Sequence, residues 1–261
     1  MRVEHLNCAV MKSPFVGPLP AHVLLVHTDE GLVLVDTGYG TADYADPARR
    51  LGPVRALLRP EADERHTALR QLEAAGHAAS DVTHVVLTHL DLDHAGGLSD
   101  FPHATVHTTA AEHHAALVAP DRADKRRYRR PQFEHGPTFA LHDGPGDPWA
   151  HGLTGHEVLP GITLVPMPGH SKGHAAVAVE ADGRGTVVHA GDALFDGTSA
   201  AIPGVDRKPL LRAFEQVVGD DRRRIKQNHA ALTRLQGAGV TVIPAHDLQV
   251  WDAMAPHALG A

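Results

Sequence analysis

Residues 85–97, Val85-Val86-Leu87-Thr88-His89-Leu90-Asp91-Leu92-Asp93-His94-Ala95-Gly96-Gly97, constrain this chain more than any other stretch. The opening run is apolar, uninterrupted and mostly β-branched, which predicts a short buried strand. A buried strand has a rigid end. Here that end releases two imidazoles and two carboxylates within six residues. Groups of that kind crowded at a strand terminus repel or dehydrate one another unless a cation compensates, and a metal ion is the economical answer.

The same arrangement recurs. The strand pattern Gly161 to Met167 runs into Pro168-Gly169-His170. Thr186 to Ala190 runs into Gly191-Asp192, and Val240 to Ile243 into Pro244-Ala245-His246. Layered α/β folds hold ligands at the ends of their strands. Seven candidate ligands follow: His89, Asp91, Asp93, His94, His170, Asp192 and His246. One zinc takes three or four ligands, so seven fit two metals that share a carboxylate and keep positions open for water. Context decides here, because the chain holds 22 histidines. His174, four residues after His170, reads as a structural hydrogen-bonding partner. His84, His107 and His189 read as packed or edge residues, and His113 and His114 as exposed on a helix.

The remaining chain supplies the frame. Ala21 to His27 and Leu32 to Val35 read as a hairpin turning at Gly31. The second strand runs into Asp36, which reads either as an Asx-turn or as a residue that orients a ligand from behind. Glu64 to Ala75 has helical spacing, with Gly76 placed to end it. Thr109 to Glu112 has the capping-box pattern of a helix reaching about Ala119. Charge-rich helix covers roughly Pro209 to Gln236. At 261 residues the chain reads as one domain, with residues 120–157 an insertion or lid that buries Tyr128, Phe133, Phe139 and Trp149. The net charge of −7 argues against a nucleic-acid groove, and the run Lys125 to Arg130 reads as a solvated loop. A single cysteine, Cys8, excludes an internal disulfide. The absence of an apolar leader in Met1 to Phe15 makes a reducing cytoplasm the expected location. The expected partner is a small-molecule substrate, without nucleic acid or membrane, and with room for a homodimer.

The order of His89, Asp93 and His94, then Pro168-Gly169-His170, Gly191-Asp192 and His246 resembles the metallo-β-lactamase-fold hydrolases. Their signature is a His-x-His-x-Asp-His loop, a distant His in Pro-Gly-His, an Asp after Gly, and a late His. The resemblance runs from the Leu32-to-Gly38 stretch to Asp247. It implies an α+β fold, the αββα sandwich, with two mixed sheets face to face, helices outside and the metal site at one edge. It also implies two divalent metal ions. The first would take His89, Asp91 and His170, the second Asp93, His94 and His246, with Asp192 between them. Asp91 stands where the family has its second histidine. Zinc comes first, but a harder, charged donor tilts the site towards iron or manganese and makes the bound water less acidic.

The implied chemistry is a metal-activated bridging hydroxide acting on an ester, lactone or thioester, with Asp93 carrying a proton to the leaving group. Ser171 is not needed as a nucleophile and lacks a Gly-x-Ser-x-Gly elbow. The nearest branches are similar to acyl-homoserine lactonases and glyoxalase II. The lactonases place a tyrosine soon after the bridging Asp. This chain has Phe195 there, a candidate substrate contact without a hydroxyl. Two alternatives stay open: an iron-dependent oxygenase or oxidase on the same fold, and a non-catalytic metal-binding protein.

Overall fold

The computed structural model describes residues 1–254, 258 and 259. Its first sheet runs in sequence order through Arg2–Ser13 (β1), Gly17–Thr28 (β2), Gly31–Val35 (β3), Val82–Val86 (β4), Thr105–Thr109 (β5) and Thr138–His142 (β6). The second holds Asp147–Pro148 (β7), Thr154–Leu159 (β8), Ile162–Pro166 (β9), Ala175–Ala181 (β10), Gly185–Gly191 (β11) and Thr241–Pro244 (β12), ordered from β12 back to β7. Both sheets are mixed. β1, β2 and β3 pair antiparallel, and β3 to β6 pair parallel. β11 and β12 are parallel, while the remaining neighbours in the second sheet are antiparallel.

Side-chain alternation shows why these strands form layers. On β2, Leu24 and Val26 pack with Ile162, Val177 and Ile243 of the other sheet. Val23 and Leu25, on the opposite face, pack with Leu72 and Phe101 on the helical side. On β10, Val177 and Val179 face the first sheet, while Ala176 and Ala178 meet Leu232 and Leu235 of the helix Arg222–Gly237. A strand covered on both faces reads as a continuous apolar run, which is what these segments are. The result is the α+β sandwich: helix, sheet, sheet, helix.

The parallel run of β3, β4 and β5 brings their carboxyl ends to one edge. β9 and β11 both lie antiparallel to β10, so their ends, with that of β12, reach a single edge of the second sheet. The candidate ligands follow the ends of β4 in the first sheet and of β9, β11 and β12 in the second.

Some elements differ from the sequence reading. β1 is a twelve-residue strand that the sequence pattern did not single out, since His5 and Asn7 interrupt its apolar side. The helix expected from Glu64 begins as a tight turn, Glu64–His66, then restarts at Ala68 behind Thr67, whose hydroxyl accepts from Arg70 N. The charged region after residue 209 is two helices, Pro209–Val218 and Arg222–Gly237, with Asp221 capping the second. Within residues 120–157, Asp124–Arg127 is a helical turn, β6 joins the first sheet and β7 the second. Among the described residues no helix is long and apolar enough to cross a membrane.

Candidate metal centre

β3 ends at Val35, and Asp36 follows in the left-handed region with φ of 61°. That backbone conformation is costly for a residue with a side chain and persists only where its surroundings enforce it. Here the Asp36 carboxylate accepts from Thr88 N at 2.8 Å, Thr88 Oγ1 at 2.8 Å and His94 Nδ1 at 2.8 Å. Of the two readings open for Asp36, the structure shows the orienting one. The next residue, Thr37, donates its hydroxyl to His94 O and accepts from Gly97 N. A Cβ at Gly97 would lie 2.9 Å from Thr37 Cβ, so the loop after His94 closes this tightly only with glycine.

The seven candidate ligands converge. His89 Nε2 and His170 Nε2 each lie 3.2 Å from Asp91 Oδ2. His94 Nε2 is 3.3 Å from His246 Nε2, and Asp93 Oδ2 is 3.5 Å from the same nitrogen. Asp192 stands between the two groups. Its Oδ2 faces His170 Nε2 at 3.2 Å and its Oδ1 faces His246 Nε2 at 3.1 Å. One carboxylate therefore presents one oxygen to each nest. The ligand atoms of His89, Asp91 and His170, and those of Asp93, His94 and His246, are each mutually within 4.8 Å.

The rear atoms hold these rings in place. His89 Nδ1 meets Thr88 Oγ1 at 3.0 Å, and His246 Nδ1 donates to Pro20 O at 2.7 Å. His174, as the sequence suggested, is structural: its Nε2 accepts from Asp192 N at 3.0 Å. A Cβ on Gly191, which has φ of 50°, would meet that nitrogen at 2.8 Å. His189 is packed, donating Nε2–H to His22 O.

Two residues were missed. The basic run 125–130 is not wholly a solvated loop. Arg127 turns inward and grips Asp91 with a bidentate fork, Nε to Oδ1 at 2.8 Å and Nη2 to Oδ2 at 2.7 Å. A buried carboxylate calls for a cationic partner, and that was the available signal; sequence alone did not say which of the five charged neighbours supplied it. Glu112 is the other. Thr109 Oγ1 does accept from Glu112 N, but the carboxylate does not return to the cap. It is fully buried and accepts from Leu90 N, Tyr128 OH, Ser171 Oγ and Gly173 N, joining the His89 loop to the His170 loop.

The donor set fits divalent metal. His89 Nε2 and Asp192 Oδ1 are buried and make no well-aligned hydrogen bond among the described residues, although Asp91 Oδ2 and His246 Nε2 lie 3.2 and 3.1 Å from them, an arrangement that needs an explanation in a native site. Burial opposes charge on His94 and His246, yet Asp192 and its neighbours raise both pKa values above the ordinary imidazole range. Burial, helped by the Arg127 charge, brings His170 down to about 3, so this ring is a ready neutral donor. The site opens into a cavity of about 440 Å³. Its walls include Leu19, Leu57, Leu92, Phe195, Phe214 and Val218, and Asp93 also lines it. The Phe195 ring sits 5.6 Å from that of His170 and 5.3 Å from that of His246.

The comparisons agree with this geometry. A family model described as the metallo-beta-lactamase superfamily matches residues 16–227. A probable metallo-hydrolase of Mycobacterium tuberculosis is 44% identical over 260 residues, covering 97% of this chain and 82% of that protein. An N-acyl homoserine lactonase of Bacillus thuringiensis is 27% identical over 178 residues, 68% of this chain and 65% of the lactonase. Among solved structures, an N-acyl homoserine lactone hydrolase with N-hexanoyl-L-homoserine bound at its catalytic metal centre superposes with a TM-score of 0.75. It is 21% identical, and the match covers 96% of this chain and 95% of the other.

Proposed function

The chain belongs to the metallo-beta-lactamase superfamily, and from that premise we propose that it is a dinuclear metallo-hydrolase of an ester, lactone or thioester with an apolar acyl group. The observation that carries the reading is Asp192. Its two oxygens address two adjoining nests of imidazole and carboxylate, which border one largely apolar cavity. His89, Asp91 and His170 would hold one divalent cation, and Asp93, His94 and His246 the other, with zinc the first expectation for such nitrogen-rich sets. When bound, such cations acidify a coordinated water and polarise a carbonyl.

The chain's own residues supply the rest. Asp36, Thr88 and the Pro20 carbonyl fix the imidazole orientations from behind, so the donors do not have to reorganise. Leu19, Leu57, Phe214 and Val218 give an acyl chain a place to leave water. Asp93 lines that cavity beside His246, where its carboxylate can carry a proton to the leaving oxygen.

A second reading has one observation in its favour. His89, His170 and Asp91 form a group of two histidines and one carboxylate, the donor set of non-haem iron oxygenases. Elemental analysis of protein purified without added metal, followed by assays on lactones, esters and thioesters, separates the two. Two zinc ions per chain and ester turnover support the hydrolase. Iron with oxygen uptake and no hydrolysis overturns it.

A further inference from the structure

Arg127 has no place in the hydrolytic chemistry, yet it is held by four contacts. Its fork takes both oxygens of Asp91, and its Nη1 donates to His170 O at 2.8 Å and Val218 O at 3.1 Å. One side chain therefore fixes two of the three donors in the first nest, Asp91 through its carboxylate and His170 through its carbonyl. The guanidinium and the carboxylate are each less than a fifth exposed.

The charges in this corner explain why the fork is needed. His170 Nε2 lies 3.2 Å from Asp91 Oδ2 and 3.2 Å from Asp192 Oδ2, so two carboxylates converge on one imidazole nitrogen. Without compensation they repel across a buried gap. A bidentate guanidinium cancels one of them. It occupies one lone pair on each Asp91 oxygen, which leaves Oδ2 a lone pair for the nest.

We propose that Asp91 and Arg127 act as a single neutral donor unit, so that the first nest binds its cation as if Asp91 were an uncharged ligand; this rests on the two-cation reading above. Arg127 is then a positioning residue that sets the charge of the nest. The guanidinium draws charge from Asp91, so this nest holds a divalent cation less tightly than a bare carboxylate would.

The test is cobalt and manganese uptake by metal-free protein, followed by the visible absorption of bound cobalt and by competition with a chelator. Wild type takes two equivalents of cobalt and holds manganese more weakly. R127M and R127Q each tighten one of the two cobalt equivalents by about tenfold, because the nest then faces the cation with an uncompensated carboxylate. In both backgrounds D91H returns that equivalent to about the wild-type affinity, because an imidazole brings a donor without a charge. A purely structural Arg127 would give other results: R127M would weaken that equivalent through lost positioning, and D91H would not return it to the wild-type value. Either result overturns the proposal. If R127M does not fold by circular dichroism, R127Q with and without D91H decides alone. Wild type that takes up fewer than two equivalents overturns the two-cation reading and this proposal together. Two equivalents of the same affinity in wild type and in R127Q overturn only the proposal.

Discussion

Replacing Asp36 in the metal-free protein tests whether the centre is built by the fold before any ion arrives. In D36A the donors Thr88 N–H and His94 Nδ1–H, each now 2.8 Å from the carboxylate, lose their acceptor in a fully buried place. An orphaned buried donor costs about 1–3 kcal/mol. The Thr88 hydroxyl loses less, since His89 Nδ1 is 3.0 Å away. Relief from burying a carboxylate offsets part of the loss, leaving about 3 kcal/mol of destabilisation. Backbone strain adds a separable part. At φ of 61° alanine is strained and glycine is not, so D36G should be about 0.5–1 kcal/mol more stable than D36A after the extra freedom of glycine is counted. Asparagine tolerates this conformation and keeps one acceptor, so D36N should lose about 1 kcal/mol. Urea melts with equal m-values should rank wild type, D36N, D36G and D36A in falling order. D36A within 1 kcal/mol of wild type, or above D36G, would refute the reasoning.

Three further expectations concern other parts of the chain. His107 is pushed down to about 4 by burial and by His84 and His142, which it meets at 2.9 and 3.1 Å. Between 6.5 and about 4 the unfolded chain binds the extra proton and the folded one does not, so stability falls as pH drops through that window. H107Q should flatten that slope in urea melts across pH, and an unchanged slope counts against the argument. Burial pushes the Cys8 thiol up, far from its reactive form, so iodoacetamide at pH 8 should label it only after unfolding; fast labelling of native protein contradicts this. F195Y adds a hydroxyl to a ring that contacts those of His170 and His246 and should raise kcat/KM for lactones about tenfold over open-chain esters. No gain would mean that the ring only lines the cavity.

Much of the site was legible because its chemistry is concentrated at strand ends. His89, Asp93, His94, His170, Asp192 and His246 could be picked from 22 histidines and many acids because each follows a short apolar run. The alternating burial of β2 and β10 likewise left its mark as long apolar runs. β1 was hidden because His5, Asn7 and Lys12 break its pattern, although pairing with β2 buries most of it. Glu112 looked like a helix cap, since its spacing from Thr109 matches that role, and only the arrival of Leu90, Tyr128, Ser171 and Gly173 shows what its carboxylate does.

The sequence by itself determined the ligand chemistry and the layered strands that carry it, because periodicity and strand-end composition are local properties. Tertiary structure alone decided which charges meet. Asp91 and Arg127 are separated by 36 residues, and nothing local distinguishes Arg127 from the cations around it. An ion pair depends on where two backbones come to lie, and that is set by packing across the whole sandwich.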